Sequence, residues 1–228
     1  HTAALRRLDA AYLPGTIWTT GRNHRGQLGL GDTTNRVYFE MVPSPPGVRF
    51  AEITSGEDFI IALDEQRRMW IWGNGLNGML GDGLTGESHY SSSPLMLTVP
   101  GVSGWRYVKV GNGSRHVIAI ANDGSLWTWG MNHRGQLGHG EFDFPGFEGN
   151  NVAPPRNVMP GSTWLSANAG GWFSQAIRED SVFLGTLWGW GDNRYYQLGL
   201  GFDTPGQLGI HTPQRVQLTD QQPFSIGF

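Results

Sequence analysis

Seven histidines and 19 carboxylates are the groups in this 228-residue chain that could do acid–base or metal chemistry. Their spacing decides whether they do. The histidines are His1, His24, His89, His116, His133, His139 and His211. No His-x-x-x-His pair occurs, no cysteine accompanies them, and no run of acids has calcium-loop spacing. A Gly-x-Ser-x-Gly elbow and a phosphate-binding glycine loop are also missing from the sequence. The sequence therefore offers no catalytic set, no cofactor site and no metal site, and the expectation is a protein that is not an enzyme. What remains is recognition. "EFDFPGFEGNN" sets Phe142, Phe144 and Phe147 among Glu141, Asp143 and Glu148. Aromatic anchors inside a charged rim suit a protein-binding loop. The alternative is that these rings tuck beneath the loop as a small satellite cluster. "GLTGESHYSSSP" is a second long polar segment, and its His89 and Tyr90 join the candidate contacts.

The elements that must hold these loops are written in a repeat. Four segments share one frame: "WTTGRNHRGQLGLG" from Trp18, "WIWGNGLNGMLGDG" from Trp70, "WTWGMNHRGQLGHG" from Trp127 and "WGWGDNRYYQLGLG" from Trp188. The first tryptophans stand 52, 57 and 61 residues apart. A short apolar run such as "VYFEMV" or "LMLTV" and a proline (Pro43, Pro94, Pro154, Pro213) follow each frame. Next come aromatic or β-branched runs such as "RFAEITSG" and "WRYVKVGNG", then "DFIIAL", "RHVIAI" or "FSQAI". A turn such as "NDGS" leads back to the tryptophans; Asp-Gly between apolar runs is a hairpin signal because that turn needs positive φ. About four strands per unit at this period describe an all-β propeller. In a strand, residues two apart share a face. The pairs Trp70/Trp72, Trp127/Trp129 and Trp188/Trp190, and Trp18 in the first frame, are thus expected to be covered by a neighbouring unit. Only "AALRRLDAAYL", stopped by Pro14-Gly15, reads as a short helix.

Composition agrees with that architecture. Glycine contributes 35 residues, about double the usual ~7%. Charged residues are 15% against a typical ~25%, and aromatics are 12%, which excludes disorder. The net charge is −3, without the basic face that nucleic-acid binding needs. No apolar run approaches the ~20 residues of a membrane-spanning helix. The absence of cysteine leaves the compartment open.

The frame W-x-W-G-x-N-x-x-G-Q-L-G-x-G, nearly whole at Trp127–Gly140, resembles the regulator of chromosome condensation repeat family. Thr20 replaces the second Trp in the first unit, Gly75 and Met79 replace Asn and Gln in the second, and Tyr196 replaces Gly in the fourth. The family's Gly-x-x-His signature is matched at Gly113 and His116, with Phe59 and Phe173 at the equivalent positions. The resemblance implies a β-propeller, usually of seven blades, with His116 as a hydrogen-bonding core residue. Four units then form a segment of a larger ring, a closed four-bladed ring, or an arc completed by another chain or by self-association. The functions implied are protein–protein interaction or a structural role, cell-surface and virion assemblies included. Guanine-nucleotide exchange on a small GTPase and glycan binding are the alternatives.

Overall fold

The computed structural model describes residues 1–6, 15–111, 114–141, 152–181, 184–204, 209–217 and 224–225. Their strands form four antiparallel sheets, and the order within each follows the chain. The first holds β1 (Thr2–Arg6), β2 (Thr16–Gly21) and β3 (Arg36–Met41). The second holds β4 (Phe50–Ser55), β5 (Phe59–Asp64), β6 (Met69–Asn74) and β7 (Tyr90–Leu97). The third holds β8 (Trp105–Lys109), β9 (His116–Ala121), β10 (Leu126–Gly130) and β11 (Val152–Val158). The fourth holds β12 (Trp164–Ala169), β13 (Phe173–Ser181), β14 (Leu184–Gly191) and β15 (Ile210–Arg215); β16 (Phe224–Ser225) pairs with the first residues of β14. These are propeller blades, one per sequence unit.

The second and third blades are buried on both faces, and strand periodicity divides their side chains between two neighbours. Along β9, Val117, Ala119 and Ala121 join the core shared with the second blade, while Ile118 and Ile120 join the core shared with the fourth. Ile60 and Ala62 of β5 likewise meet Ile17 and Val42 of the first blade, and Ile61 and Leu63 face the third. The cores therefore lie between blades, which is why one unit cannot stand by itself.

The tryptophan pairs divide their work. Trp72, Trp129 and Trp190 are 0% exposed. Each donates its indole N–H to the preceding blade: Trp72 to the Gln27 carbonyl at 3.2 Å, Trp129 to Met79 at 3.0 Å, Trp190 to Gln136 at 2.8 Å. The glycine of Leu-Gly makes room for that ring, since a Cβ at Gly29 would stand 2.6 Å from Trp72 Nε1 and one at Gly138 2.9 Å from Trp190 Nε1. The first tryptophans are less covered than expected. Trp70 is buried against Asp64, but Trp18, Trp127 and Trp188 are half-buried, each bonded to a hydroxyl two residues upstream.

Two expectations change. Ala3–Arg6 is strand, not helix: β1 pairs with β2, and Ala3 and Leu5 pack on the core beneath, so tertiary pairing overrides local propensity. The outermost strands of the later blades begin before their prolines rather than after, and Pro94, Pro154 and Pro213 lie inside β7, β11 and β15. An edge strand tolerates proline because one side of its ladder is unpaired. At the end of the described residues, Phe224–Ser225 lies beside Leu184 and Gly185, upstream of the stretch that β15 pairs.

Candidate functional site

The registers put the long loops that leave the tryptophan strands on one face. Gly73 pairs with both Phe59 and Ser91, Gly130 with His116 and Val152, and Gly191 with Phe173 and Ile210. The turns entering the second strand of a blade and the loops leaving its tryptophan strand thus emerge together. The opposite face carries tight turns such as 65–68 and 122–125.

The motif's polar residues shape these loops. Asn23 Oδ1 accepts the Leu28 N–H and its Nδ2 donates to the Asp32 carbonyl; Asn132 and Asn193 repeat this clip with Leu137 and Glu141, and with Leu198 and Phe202. The second blade has Gly75 there, and the His89 ring fills the vacant space, 2.2 Å from where a Cβ would be. His89 is held by Asp82 at 2.9 Å, so it closes the loop from inside. Its neighbour Tyr90 is 44% exposed. Phe142, Asp143, Phe144, Phe147 and Glu148 lie outside the described residues; the insertion that carries them leaves the loop face at Glu141 and returns at β11. Glu141 itself pairs with Arg156 at 3.1 Å.

His116 is a junction residue. Its Nδ1 lies 2.8 Å from Ser114 Oγ and its Nε2 2.9 Å from Ser174 Oγ of the fourth blade, and Ser174 in turn donates to the Gln136 carbonyl at 2.8 Å. Complete burial lowers its pKa to about 3, so the ring is a neutral bridge. His139 is similarly lowered, to about 4, by burial first and then by Arg156, against the opposing pull of Glu141.

The face is uneven. Between the first and second blades it is polar and paired. Gln27 Oε1 accepts the Arg25 N–H, which turns its Nε2 toward Asp58 Oδ1 (2.9 Å) and His24 Nδ1 (3.2 Å). His24 also lies 3.7 Å from Asp58; burial lowers its pKa, with Arg22 and Arg25 adding to that and Asp58 opposing it. Next to them, Arg115 of the third blade grips Glu57 of the second.

Between the third and fourth blades it is aromatic. Trp172 occupies the slot of Asp58 and Arg115, is 43% exposed, and lies against His133 with ring centroids 6.3 Å apart. Its carbonyl accepts the Asp192 N–H at 2.9 Å. Burial pushes the Asp192 carboxyl up, but hydrogen bonds from Arg194 and the charges of Arg194 and Arg134 outweigh it and hold the group below the ordinary carboxylate range. Tyr195, 80% exposed, carries the Arg194 guanidinium 5.9 Å from its ring centroid. Tyr196, 62% exposed, and Phe202, 52% exposed, belong to the same loop. Tyr196 has φ 59°, in the slot where Gly26, Gly78 and Gly135 have φ 70°, 75° and 74°. A side chain in that conformation costs about 1–2 kcal/mol, so stability is given up to display this ring. Repeat alignment showed the Tyr196 substitution, but it gave no sign that Trp172 would meet His133 or that Tyr195 and Phe202 would stand exposed.

The Regulator of chromosome condensation (RCC1) repeat model matches residues 14–63, 123–177 and 185–226, and a second model of the same repeat matches 107–136. The chain belongs to the RCC1 repeat family. It is 30% identical to the ultraviolet-B receptor UVR8 of Arabidopsis thaliana over 93% of its own length and 44% of that protein's. To the human Regulator of chromosome condensation it is 29% identical, over 95% of this chain and 50% of that one. The structure of Prp20p from Saccharomyces cerevisiae, described with its binding to Gsp1p and histones, superposes with a TM-score of 0.69 at 22% identity, covering 90% of this chain and 47% of Prp20p. The chain thus spans about half the length of the relatives it matches, and its four blades are RCC1-type propeller blades. Among the described residues no helix is long and apolar enough to cross a membrane.

Proposed function

We propose that this chain is a non-enzymatic protein-binding module whose contact surface is the loop face on the side of the third and fourth blades. The observation that carries this reading is the exposure of Trp172, Tyr195, Tyr196 and Phe202 on the loops of this side, one of them set in strained backbone. Exposed aromatics beside arginines have the composition of an interface hot spot, and strain at an exposed site points to function. Prp20p, which shares the fold, is described as binding Gsp1p and histones, so this architecture supports protein partners. The test is a photo-cross-linking residue in place of Tyr195, compared with one at Gln66 on the opposite face. A discrete adduct from Tyr195, lost when Trp172 and Phe202 become Ser at unchanged melting temperature, is expected. Equal labelling from both faces would refute the reading. Accelerated release of labelled GDP from a small GTPase would assign the face to nucleotide exchange instead.

A further inference from the structure

The two junctions hold the same glutamine in the same way but finish it differently. Gln136 Oε1 accepts the Arg134 N–H at 2.8 Å, as Gln27 Oε1 accepts that of Arg25. That bond fixes which end of the amide is which, so the Gln136 NH2 turns outward as the Gln27 NH2 does. In the first junction it meets the Asp58 carboxylate. In the other, Trp172 stands in the slot of Asp58, and Gln136 Nε2 is buried with no hydrogen-bond partner. Gln136 is 0% exposed, and buried donors are rarely left unpaired. The second blade solves the problem a third way, with apolar Met79 at that position.

Resting on the partner-binding reading of this face, we propose that the partner inserts a carboxylate at the junction of the third and fourth blades, onto Gln136 Nε2, taking the place that Asp58 fills within the chain at the first junction. The half-exposed Trp172 indole is the cover that turns aside to admit it. The chain supplies the precedent, since a carboxylate closes the equivalent amide at the first junction, and Arg194 on the Asp192 carboxylate adds a cation on the same loop. The partner is therefore an acidic segment of a protein, seated beside the exposed aromatics.

The experiment uses the full chain with 15N-labelled glutamine and two capped peptides, acetyl-Glu-Glu-Glu-amide and acetyl-Gln-Gln-Gln-amide. The glutamate peptide should move the Gln136 side-chain NH2 signals and leave those of Gln27 in place, while the glutamine peptide moves neither. Trp172→Asp supplies the carboxylate from within and should abolish the shift. Gln136→Met, a residue the second blade already accommodates, should weaken the glutamate peptide at least tenfold without lowering the melting temperature. Unmoved Gln136 signals in both the native chain and Trp172→Ala would overturn the proposal, as would equal shifts from both peptides. If Tyr195 still cross-links a partner with unchanged affinity in Gln136→Met, the acidic anchor is wrong while the binding face stands; if no partner is trapped, the face itself is wrong.

Discussion

The first and third junctions of this propeller share a skeleton and differ at one slot. In both, an indole N–H crosses to the carbonyl of a glutamine, the glutamine's own oxygen is bound by a loop N–H, and a glycine admits the ring. The indole bonds use backbone acceptors, so they survive wide changes in the loops around them. The residue just before the second strand of the following blade is the variable one. Asp58 closes the first junction on itself, and at the second, where Met79 replaces the glutamine, Arg115 pairs with Glu57. Trp172 leaves the third junction with a buried donor and an exposed ring. The repeat thus separates what holds blades together from what each junction presents.

The largest effects should fall on the shared skeleton. Trp190→Ala removes a fully buried ring and its cross-blade bond, and should cost about 3–5 kcal/mol in urea unfolding. Trp18→Ala, at a half-buried ring, should cost less than half as much. Equal losses would mean that covering by a neighbour is not what distinguishes the two tryptophans of a pair.

Acid should act on the third blade and the junction that follows it. His116 and His139 are neutral in the fold, with pKa values lowered to about 3 and about 4. The unfolded chain protonates its histidines near 6.5, so below that pH it binds more protons than the native state. Stability is therefore complete above pH 6.5 and falls as the pH drops toward 4. Each histidine contributes a slope of at most about 1.4 kcal/mol per pH unit. Urea midpoints measured across this range should decline, and His116→Gln should remove about half the slope. A flat profile would show that these rings are not shut away from protons.

Exchanging the variable slot should convert one junction toward the other. Asp58→Leu takes the carboxylate from Gln27 Nε2 and should cost about 1–3 kcal/mol, the range for a buried donor that loses its acceptor. Trp172→Asp should add about 0.5–1.5 kcal/mol by completing the bond at Gln136. Thermal unfolding of the pair checks both signs. A loss in each would mean that the slots are not equivalent.

The scaffold was legible because its determinants are local and repeated. The Trp-x-Trp-Gly and Gln-Leu-Gly frames state where strands run and where rings need space, and His116 in its slot announced a core hydrogen bond. The first strand was hidden, since Ala3 and Leu5 alternate too briefly to outweigh a helix-like composition. The face was only half legible. Glu141 and the phenylalanines stood out by type, and His89 looked like a contact although it fills the hole left by Gly75. Trp172 reads as one more tryptophan until the register places it beside His133 and opposite an unpartnered amide. Convergence of residues about 40 apart in sequence is a property of blade stacking and leaves no local trace.

The smallest stability change carries the sharpest distinction. At Gly26 and Gly135 a Cβ would press on the next blade, 2.5 Å from Ser92 Cα in one case and 2.7 Å from His211 Cα in the other, so glycine there serves packing as well as positive φ. Tyr196 occupies the same slot with its ring 62% exposed and its hydroxyl 3.4 Å from Asp203 Oδ2. Tyr196→Gly relieves a left-handed side chain worth about 1–2 kcal/mol and gives back about 0.5–1 kcal/mol through the looser unfolded chain. The net gain should be about 0.5–1 kcal/mol, seen as a slightly higher urea midpoint. If the tyrosine is there for contact, the same change should also reduce cross-linking from Tyr195. A variant both stabler and poorer at capture is the signature of strain kept for binding; a stabler variant that captures its partner as well as before would leave Tyr196 with no part in recognition.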